Sequence, residues 1–354
     1  MKPIGIAIIG TGWCGGIRAE TCARHPLAKS LHIAEVRPER LAEVQRATGA
    51  VSALTDYREL LGNREIEAVY VCATPETTHF PIARDCLAAG KHVFLEKPIA
   101  MQLAEADELI ATARTNRLKF TIGYSQRFNP KFAYVRKALR DGTIGRPVSA
   151  LVSRHITRGL GEKISGRVRL SPAAMEATHD LDFILWCLEP ARPVRVYSQV
   201  NYGAMQEKAV GGAQIPDTQW ITVTMDSGVS FVIGAGWSLP RGYPNFSTTW
   251  IEVVGTEGAV MVDDSHRDVV IHTVRDGMQL PMSSMPGERV EHTFAGPMAA
   301  ETTHFLEACA RDRPVMVTPE HARTVMEAYL AADLSAERNA AVELPLSGPL
   351  RAVA

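Results

Sequence analysis

The feature that most constrains the fold is a glycine-rich turn between a strand pattern and a helix pattern near the start of the chain. Residues 4–9 form an apolar run rich in β-formers, and Gly10-Thr11-Gly12-Trp13-Cys14-Gly15 follows directly. A helical pattern then begins at about residue 14. In this context the first glycine allows a tight turn, the second lets a pyrophosphate approach the backbone, and the third lets helix and strand pack closely. The pattern predicts a dinucleotide site, because the helix N-terminus offers free N–H groups to phosphates.

A carboxylate after the second strand pattern indicates which dinucleotide binds. Glu35 lies near the end of the pattern at residues 31–36, about 20 residues beyond the last motif glycine. A carboxylate there accepts a hydrogen bond from the adenosine ribose 2′-hydroxyl and repels a 2′-phosphate. Arg37 and Arg40 follow closely and could hold a 2′-phosphate instead. We therefore expect NAD as the cofactor, with NADP as the alternative.

Strand and helix patterns alternate up to about residue 123. Strand patterns at 68–73 and 92–96 flank a helix pattern at 78–89, and a further helix and strand follow. Such alternation predicts a parallel sheet with helices on both faces, and hence an α/β Rossmann domain over residues 1–123. His79 begins the helix after one strand, where it either contacts the cofactor or serves as a helix-capping or solvated histidine.

The strand pattern that ends in Glu96-Lys97-Pro98 supplies the candidate for acid–base chemistry. Ligands of open parallel sheets bind beyond the carboxyl ends of the strands, so Lys97 would project toward a ligand. Pro98 keeps Lys97 out of the helical conformation. In a closed cleft, burial lowers the pKa of a lysine toward neutrality and suits it to proton transfer. The alternative is a charged pair that only marks the end of a strand.

A second candidate lies on a helix that is predicted to start at Ser171-Pro172, with serine as N-cap and proline in the first turn. His179 and Asp182 are three positions apart and share a face of this helix away from its apolar stripe. Such a pair suits proton handling. A structural histidine satisfied by a neighbouring carboxylate would give the same pattern.

The chain beyond residue 123 predicts an α+β domain over residues 124–340. Its strand patterns alternate or carry β-branched residues, which predicts an open, mostly antiparallel sheet with one face covered by helices. The other face would be a natural surface for self-association. The Arg-, Gly- and Ser-rich stretch at 154–169 is predicted to be a mobile loop, and residues 341–354 a tail.

The order of these motifs resembles the Gfo/Idh/MocA family, whose members are NAD(P)-dependent oxidoreductases that act mainly on sugars, cyclitols and their derivatives. The similarity runs over most of the chain, to about residue 335. It implies that Lys97 is a catalytic lysine at the junction of two domains, touching nicotinamide and substrate. It also implies that His179 deprotonates the reacting hydroxyl and that Asp182 binds substrate. The motifs that carry the resemblance are Gly-x-Gly-x-x-Gly, Ala73-Thr74-Pro75 with His79, Ala89-Gly90-Lys91-His92, Glu96-Lys97-Pro98 and His179-Asp180-Leu181-Asp182.

One position departs from the family pattern. The family commonly has an aspartate four residues before the histidine, to orient or charge-assist it, and this chain has Met175 there. Either Glu176, Asp180 or Asp182 takes over this role, or the chemistry depends mainly on Lys97 and His179.

The expected function is hydride transfer between NAD(P) and a secondary hydroxyl or ketone of a sugar, cyclitol or sugar derivative. Two alternatives remain: a redox-neutral, NAD-dependent enzyme that cleaves or eliminates glycosides, and a non-catalytic NAD(P)-binding sensor. The predicted catalytic residues are Lys97 and His179, and the predicted substrate-binding residues are Asp182, Arg127 and Tyr124. The predicted cofactor-binding residues are Gly10, Thr11, Gly12, Trp13, Cys14, Gly15, Glu35, Arg37, Arg40, Thr74, Pro75, His79, Glu96 and Lys97.

Composition excludes several other classes. A net charge of −1 over 354 residues provides no basic field for nucleic acid. No apolar run reaches the roughly 18 residues of a membrane span. The six cysteines show no pair or metal-ligand spacing, and the scattered histidines form no ligand cluster, so we expect no metal and reduced thiols in the cytoplasm. The expected partners are a small polyol or sugar and further copies of the chain, in a homodimer or homotetramer formed through the C-terminal sheet.

Overall fold

The computed structural model describes residues 2–205, 210–243, 247–264, 269–279 and 287–346. The chain divides into two compact units. The first comprises Met1–Phe128 and Pro286–Arg323, and the second comprises Asn129–Met285 and Thr324–Ala354. The sequence predicts continuous domains, 1–123 and 124–340, whereas each compact unit takes in two separate stretches of chain.

A six-stranded parallel sheet forms the centre of the first unit, with strand order β3-β2-β1-β4-β5-β6. The order reverses between β1 and β4, which creates the crevice where open α/β sheets bind ligands. All six residues of β1 are buried, as a strand covered on both faces requires. The strands are β1 Ile4–Ile9, β2 Ala28–Ala34, β3 Ser52–Leu54, β4 Ile66–Val71, β5 His92–Glu96 and β6 Phe120–Gly123; the helices are α1 Trp13–Ala23, α2 Pro38–Thr48, α3 Arg58–Leu61, α4 His79–Ala88 and α5 Leu103–Thr115.

The second unit contains a seven-stranded mixed sheet in which one pair of strands, β7 and β10, is parallel and the other described pairs are antiparallel. The predicted fold class is confirmed for both sheets. The elements between the two parts of the first unit are helices α6 Pro130–Arg140, α7 Arg158–Ser165 and α8 Thr178–Leu188, and strands β7 Pro147–Thr157, β8 Pro193–Asn201, β9 Thr218–Met225, β10 Ser230–Leu239, β11 Ser247–Gly255, β12 Ala259–Asp263, β13 Ile271–Thr273 and β14 Gly277–Gln279. Later elements are β15 Arg289–Val290, β16 Thr293–Phe294, α9 Pro297–Ala310, α10 Pro319–Arg338 and β17 Val342–Glu343.

Helix α9 belongs to the first unit and completes its core. Tyr70 of β4, Phe94 of β5 and Phe305 of α9 pack with ring centres 5.2–5.8 Å apart. The Tyr70 hydroxyl donates a 2.8 Å hydrogen bond to the carbonyl of Thr302, so its buried polar atom is satisfied. The second stretch of this unit, which contains α9, therefore supplies both apolar core contacts and a hydrogen bond.

Two predictions for the second unit need correction. The prediction of a mobile loop at residues 154–169 is wrong, because this stretch continues β7 to Thr157 and then forms α7. The predicted tail, residues 341–354, contains β17, which pairs with β8 in antiparallel register. Residues 347–354 of that tail lie outside the described residues. Among the described residues, no helix combines the length and apolar character that crossing a membrane requires.

Candidate active site

The glycine loop between β1 and α1 is built by close backbone approaches. Gly10 has a φ of +82°, and a Cβ on it would lie 2.6 Å from Cα of Ala73. A Cβ on Gly15 would lie 1.9 Å from the carbonyl oxygen of Gly10, so only glycine fits at either position. A Cβ on Gly12 would meet nothing within 4 Å. The protein therefore leaves open space at Gly12, beside the N-terminus of α1, as a bound pyrophosphate requires.

Glu35 follows β2 and is tied to this loop. Its carboxylate accepts a 2.8 Å hydrogen bond from the backbone N–H of Thr11 and a 2.9 Å bond from Nε of Arg37. Burial acts to raise the pKa of Glu35, but these hydrogen bonds outweigh burial and hold the pKa below its usual value. Glu35 is therefore a fixed carboxylate, the form that binds a ribose 2′-hydroxyl.

The two arginines that could hold a 2′-phosphate are both engaged near Glu35. Arg37 pairs with the Glu35 carboxylate, and Nε of Arg40 donates a 2.7 Å bond to the carbonyl of Thr11. Each arginine supports the loop in this arrangement. The N–H donors of the loop and the acceptor carboxylate of Glu35 thus fit NAD.

His79 connects the loops that follow β4 and β5. Its Nδ1 lies 2.8 Å from the carbonyl oxygen of Pro98, and its Nε2 lies 3.1 Å from the carbonyl oxygen of Ala73. The side chain is 1% exposed, and burial lowers its pKa. The peptide bonds Thr74-Pro75 and Lys97-Pro98, which lie in these two loops, are both cis. His79 therefore lies between the two loops, and in its neutral form its one N–H donates to one of the two carbonyl oxygens.

The Glu96-Lys97-Pro98 segment leaves β5 at the predicted edge of the sheet. Lys97 is half-buried, and the neighbouring Glu96 carboxylate accepts two hydrogen bonds from the guanidinium of Arg18, at 2.8 and 2.7 Å. Arg18 lies on α1 and is 1% exposed. The sequence-based prediction missed Arg18. Its signal is a charge at helical spacing between Gly15 and Cys22, on the face of α1 that packs on the sheet.

Tyr124 and Arg127, predicted to bind substrate, follow β6 in the first unit. Both side chains are 2% exposed. The Nη1 of Arg127 donates a 3.2 Å hydrogen bond to the carbonyl of Met316. Part of the Arg127 guanidinium therefore holds the chain segment that leads into α10.

His179 and Asp182 lie on α8 in the second unit. A π-helical turn, Ala173–Ala177, precedes α8, and π-helical turns occur frequently at functional sites. The hydroxyl of Ser171 accepts a 3.1 Å bond from the N–H of Ala174, which confirms the predicted N-cap. His179 is half-buried and Asp182 is fully buried.

The carboxylates nearest Met175 in the sequence have partners on the sheet of the second unit. The indole N–H of Trp237 donates a 2.8 Å bond to Glu176, and Arg154 forms two bonds with Asp180, at 2.6 and 2.8 Å. Asp180 has no exposed surface. These contacts fix the start of α8 against the sheet, and in them Glu176 and Asp180 have structural partners of their own.

Comparisons with known proteins agree with these features. Residues 4–124 match the model of an oxidoreductase family with an NAD-binding Rossmann fold, and residues 132–261 match the GFO/IDH/MocA C-terminal domain. The chain is 30% identical over 277 residues to a myo-inositol 2-dehydrogenase of Thermotoga maritima, covering 77% of this chain and 79% of that protein. The chain belongs to the Gfo/Idh/MocA family.

Two further comparisons extend this assignment. The chain is 28% identical over 295 residues to a 1,5-anhydro-D-fructose reductase of Ensifer adhaerens, covering 79% of this chain and 81% of that protein. A solved scyllo-inositol dehydrogenase of Lactobacillus casei, with bound NAD(H) and scyllo-inositol, has the same fold, with a TM-score of 0.82 and 22% identity over 97% of this chain and 99% of that chain. The predicted family and the NAD cofactor are confirmed.

The Gfo/Idh/MocA chain therefore brings the predicted site residues together in two groups. The first unit holds the glycine loop, Glu35, His79 and the Glu96-Lys97-Pro98 segment after the carboxyl ends of β1, β2, β4 and β5. The second unit holds His179 and Asp182 on one helix. The protein is an NAD-binding oxidoreductase, and the roles of the individual residues are part of the proposal below.

Proposed function

We propose that the protein is an NAD-dependent dehydrogenase that oxidises a secondary hydroxyl of a cyclitol or related sugar, or reduces the corresponding ketone. The observation that carries the proposal is the position of Lys97 directly after β5, at the carboxyl edge of the NAD-binding sheet, where the glycine loop also follows β1. The printed names of the relatives, which include inositol dehydrogenases and a sugar reductase, support a polyol substrate.

NAD supplies the hydride chemistry in this proposal, and the chain supplies orientation and proton transfer. Lys97 and His179 handle the proton of the reacting hydroxyl. Asp182, with Arg127 or Tyr124, binds neighbouring hydroxyls. Because Arg127 and Tyr124 are almost fully buried in the first unit, only their few exposed atoms can contribute.

The test is NADH formation from NAD across a panel of inositol isomers, sugars and sugar derivatives. With a substrate found, Lys97→Ala is expected to lower kcat by about 10²–10⁴, the range for a lost acid–base group. Lys29→Ala is the matched control, because Lys29 forms an exposed pair with Glu65 on the surface of the same unit. Unchanged turnover in Lys97→Ala would contradict the proposal.

The same panel separates the alternatives. Cleaved or eliminated product without net NADH would support a redox-neutral enzyme. Dinucleotide binding without turnover of any compound would support a sensor.

We also propose that copies of the chain associate, as a dimer or tetramer, through the open face of the seven-stranded sheet. On that face Leu151, Trp220, Trp250 and Met261 are 42%, 41%, 37% and 60% exposed. Contiguous exposed apolar side chains mark interaction surfaces. The cytoplasm is the proposed location, supported by six free cysteines.

A further inference from the structure

One glycine beside the dinucleotide motif has no part in the motif itself. Gly16 follows the last motif glycine, Gly15, and lies within helix α1, where glycine is unfavourable relative to alanine. A Cβ on Gly16 would lie 2.5 Å from Nη2 of Arg40, a residue of α2. The next nearest atoms, Cζ of Arg40 and the carbonyl oxygen of Thr11, would both be 3.7 Å away, which is ordinary contact. Gly16 therefore leaves room for the guanidinium of Arg40.

The guanidinium of Arg40 binds two consecutive carbonyl groups of the glycine loop. Nε donates a 2.7 Å hydrogen bond to the carbonyl of Thr11, and Nη2 donates a 3.3 Å bond to the carbonyl of Gly12. The third nitrogen, Nη1, lies 2.8 Å from the carboxylate of Glu43, which is three positions along α2. Each nitrogen of this guanidinium therefore has a protein partner, and two of the three hold the loop.

These two hydrogen bonds determine the direction of the N–H groups of the loop. In a planar trans peptide, the carbonyl of one residue and the N–H of the next point in opposite directions. Because Arg40 binds both carbonyls, the N–H groups of Gly12 and Trp13 point away from its guanidinium. These N–H groups lie at the start of α1, where a helix supplies no acceptors of its own. They are the groups that meet a pyrophosphate in a dinucleotide-binding loop.

The loop is also held on its other side by Glu35. The N–H of Thr11 donates a 2.8 Å bond to the Glu35 carboxylate, while the carbonyl of Thr11 accepts from Arg40. Thr11 has no exposed surface. Contacts within the chain thus fix the loop before a ligand arrives, which lowers the entropy cost of binding.

We propose that Arg40 is a positioning residue for the pyrophosphate of NAD, and that Gly16 is required because a side chain there would displace the Arg40 guanidinium. Arg40 acts through the backbone of the loop, and a 2′-phosphate is not its partner. The proposal concerns cofactor binding alone, so it stands or falls independently of the polyol substrate and of the proton-transfer residues.

The first test is the affinity of Arg40→Ala for three ligands. By titration calorimetry, its Kd values for NAD and NADP should both rise by about 10-fold, because two hydrogen bonds from a charged donor are lost. Adenosine lacks phosphates, so its Kd, measured by NMR titration, should not change. Arg46→Ala is the matched control, since Arg46 lies exposed on the same helix and donates to the carbonyl of Ala42. A loss confined to NADP would make Arg40 a 2′-phosphate ligand, and an equal loss for adenosine would show a general structural role; either result would overturn the proposal.

The second test is a double-mutant cycle between Gly16→Ala and Arg40→Ala. In the wild-type background, Gly16→Ala keeps the charge of Arg40 but displaces its guanidinium, so the Kd for NAD should rise by about 3- to 10-fold. In the Arg40→Ala background the added methyl group has space, so Gly16→Ala should cause no further rise. The thermal midpoint should not fall in that background, because alanine is the better helix former.

The cycle also excludes the two simplest alternatives. Additive losses of affinity would mean that the two residues act independently, and an unchanged Kd in Gly16→Ala would mean that only the charge of Arg40 matters. If Arg40→Ala does not fold, as judged by circular dichroism, Gly16→Ala decides the question alone. Weaker NAD binding with unchanged adenosine binding then supports the proposal, and any other result overturns it.

Discussion

Single charged residues in the first unit do two things at once: they hold the backbone and they present charge to a ligand. Glu35 shows both, because its carboxylate anchors Thr11 and Arg37 while it lies after β2, where a ribose 2′-hydroxyl is bound in such sheets. A substitution that keeps the anchor and removes the charge can separate these contributions.

Glu35→Gln provides that separation. The amide oxygen can still accept from the Thr11 N–H, but it no longer repels a 2′-phosphate. We expect kcat/KM with NAD to fall by about 10-fold and the value with NADP to rise, because one charged hydrogen bond is worth about 1.5–3 kcal/mol. Glu43→Gln on α2, which removes an exposed partner of Arg40, is the control. An unchanged NAD/NADP ratio would mean that Glu35 serves only as an anchor.

Asp333 on α10 gives the second unit a stability that depends on pH. Burial raises its pKa to about 6, although hydrogen bonds from Ser171 and Gln219 act in the opposite direction. Because the folded pKa is above the unfolded value, the folded state binds the proton more tightly. The stabilisation is therefore complete below about pH 4 and is lost as the pH rises through about 6.

Asp333→Asn mimics the protonated acid and should remove this dependence. Between pH 4.5 and 8, urea titrations of wild type should show a fall in the free energy of unfolding that exceeds the fall in the variant by about 2 kcal/mol. Glu337→Gln, on the exposed side of the same helix, should behave as wild type. Equal pH dependence in wild type and Asp333→Asn would show that the carboxyl is not held in its acid form.

At the scale of elements, the β1–loop–α1 motif contains one glycine that is required for packing and another that leaves space for a ligand. Gly15 is required by its 1.9 Å approach to Gly10, whereas Gly12 faces open space. Gly15→Ala should therefore destabilise the protein by about 1–3 kcal/mol through overpacking.

Gly12→Ala should leave the thermal midpoint unchanged and weaken NAD binding by at least about 10-fold, since its methyl group would occupy the space for the pyrophosphate. Calorimetric titration and thermal unfolding of the pair measure both effects, and normal NAD affinity in Gly12→Ala would contradict the assignment.

Local patterns made these elements predictable. The glycine motif, the alternation of strands and helices and the Ser171-Pro172 start depend on neighbouring residues, and each has its counterpart in the structure. The stretch 154–169 was mispredicted because β7 is central in its sheet and its partners, β10 and β11, come more than 70 residues later. Composition alone made this stretch look like a loop.

The candidate site shows the same difference between local patterns, which are predictable, and distant contacts, which are not. Lys97 and His179 are conspicuous in the sequence because a motif surrounds each of them. The contacts that support them are not conspicuous in the sequence. Glu176 pairs with Trp237, 61 positions away, and Arg18 pairs with Glu301, 283 positions away. Those partners follow from tertiary packing, which one sequence does not specify locally.

At the scale of the whole molecule, the open face of the seven-stranded sheet exposes several large apolar side chains. The register places Leu151 of β7 between Val232 of β10 and Glu252 of β11, and Met261 of β12 follows in the same row. In the next row Trp220 lies over Gly234, where an added Cβ would come within 2.5 Å of the indole ring. Exposed aromatic and aliphatic side chains on a sheet face are suited to pairing with another sheet.

Leu151→Glu tests this surface at its centre. The side chain is 42% exposed, so the substitution should leave folding intact, but a buried carboxylate opposite a second apolar face would prevent association. Val148→Glu is the control: Val148 is 45% exposed near the start of the same strand, at a register shift against β11 and outside the row of Leu151 and Met261. Sedimentation velocity should show an assembled wild type and Val148→Glu variant and a monomeric Leu151→Glu variant. A monomeric wild type would exclude self-association, and an assembled Leu151→Glu variant would place the interface on another surface.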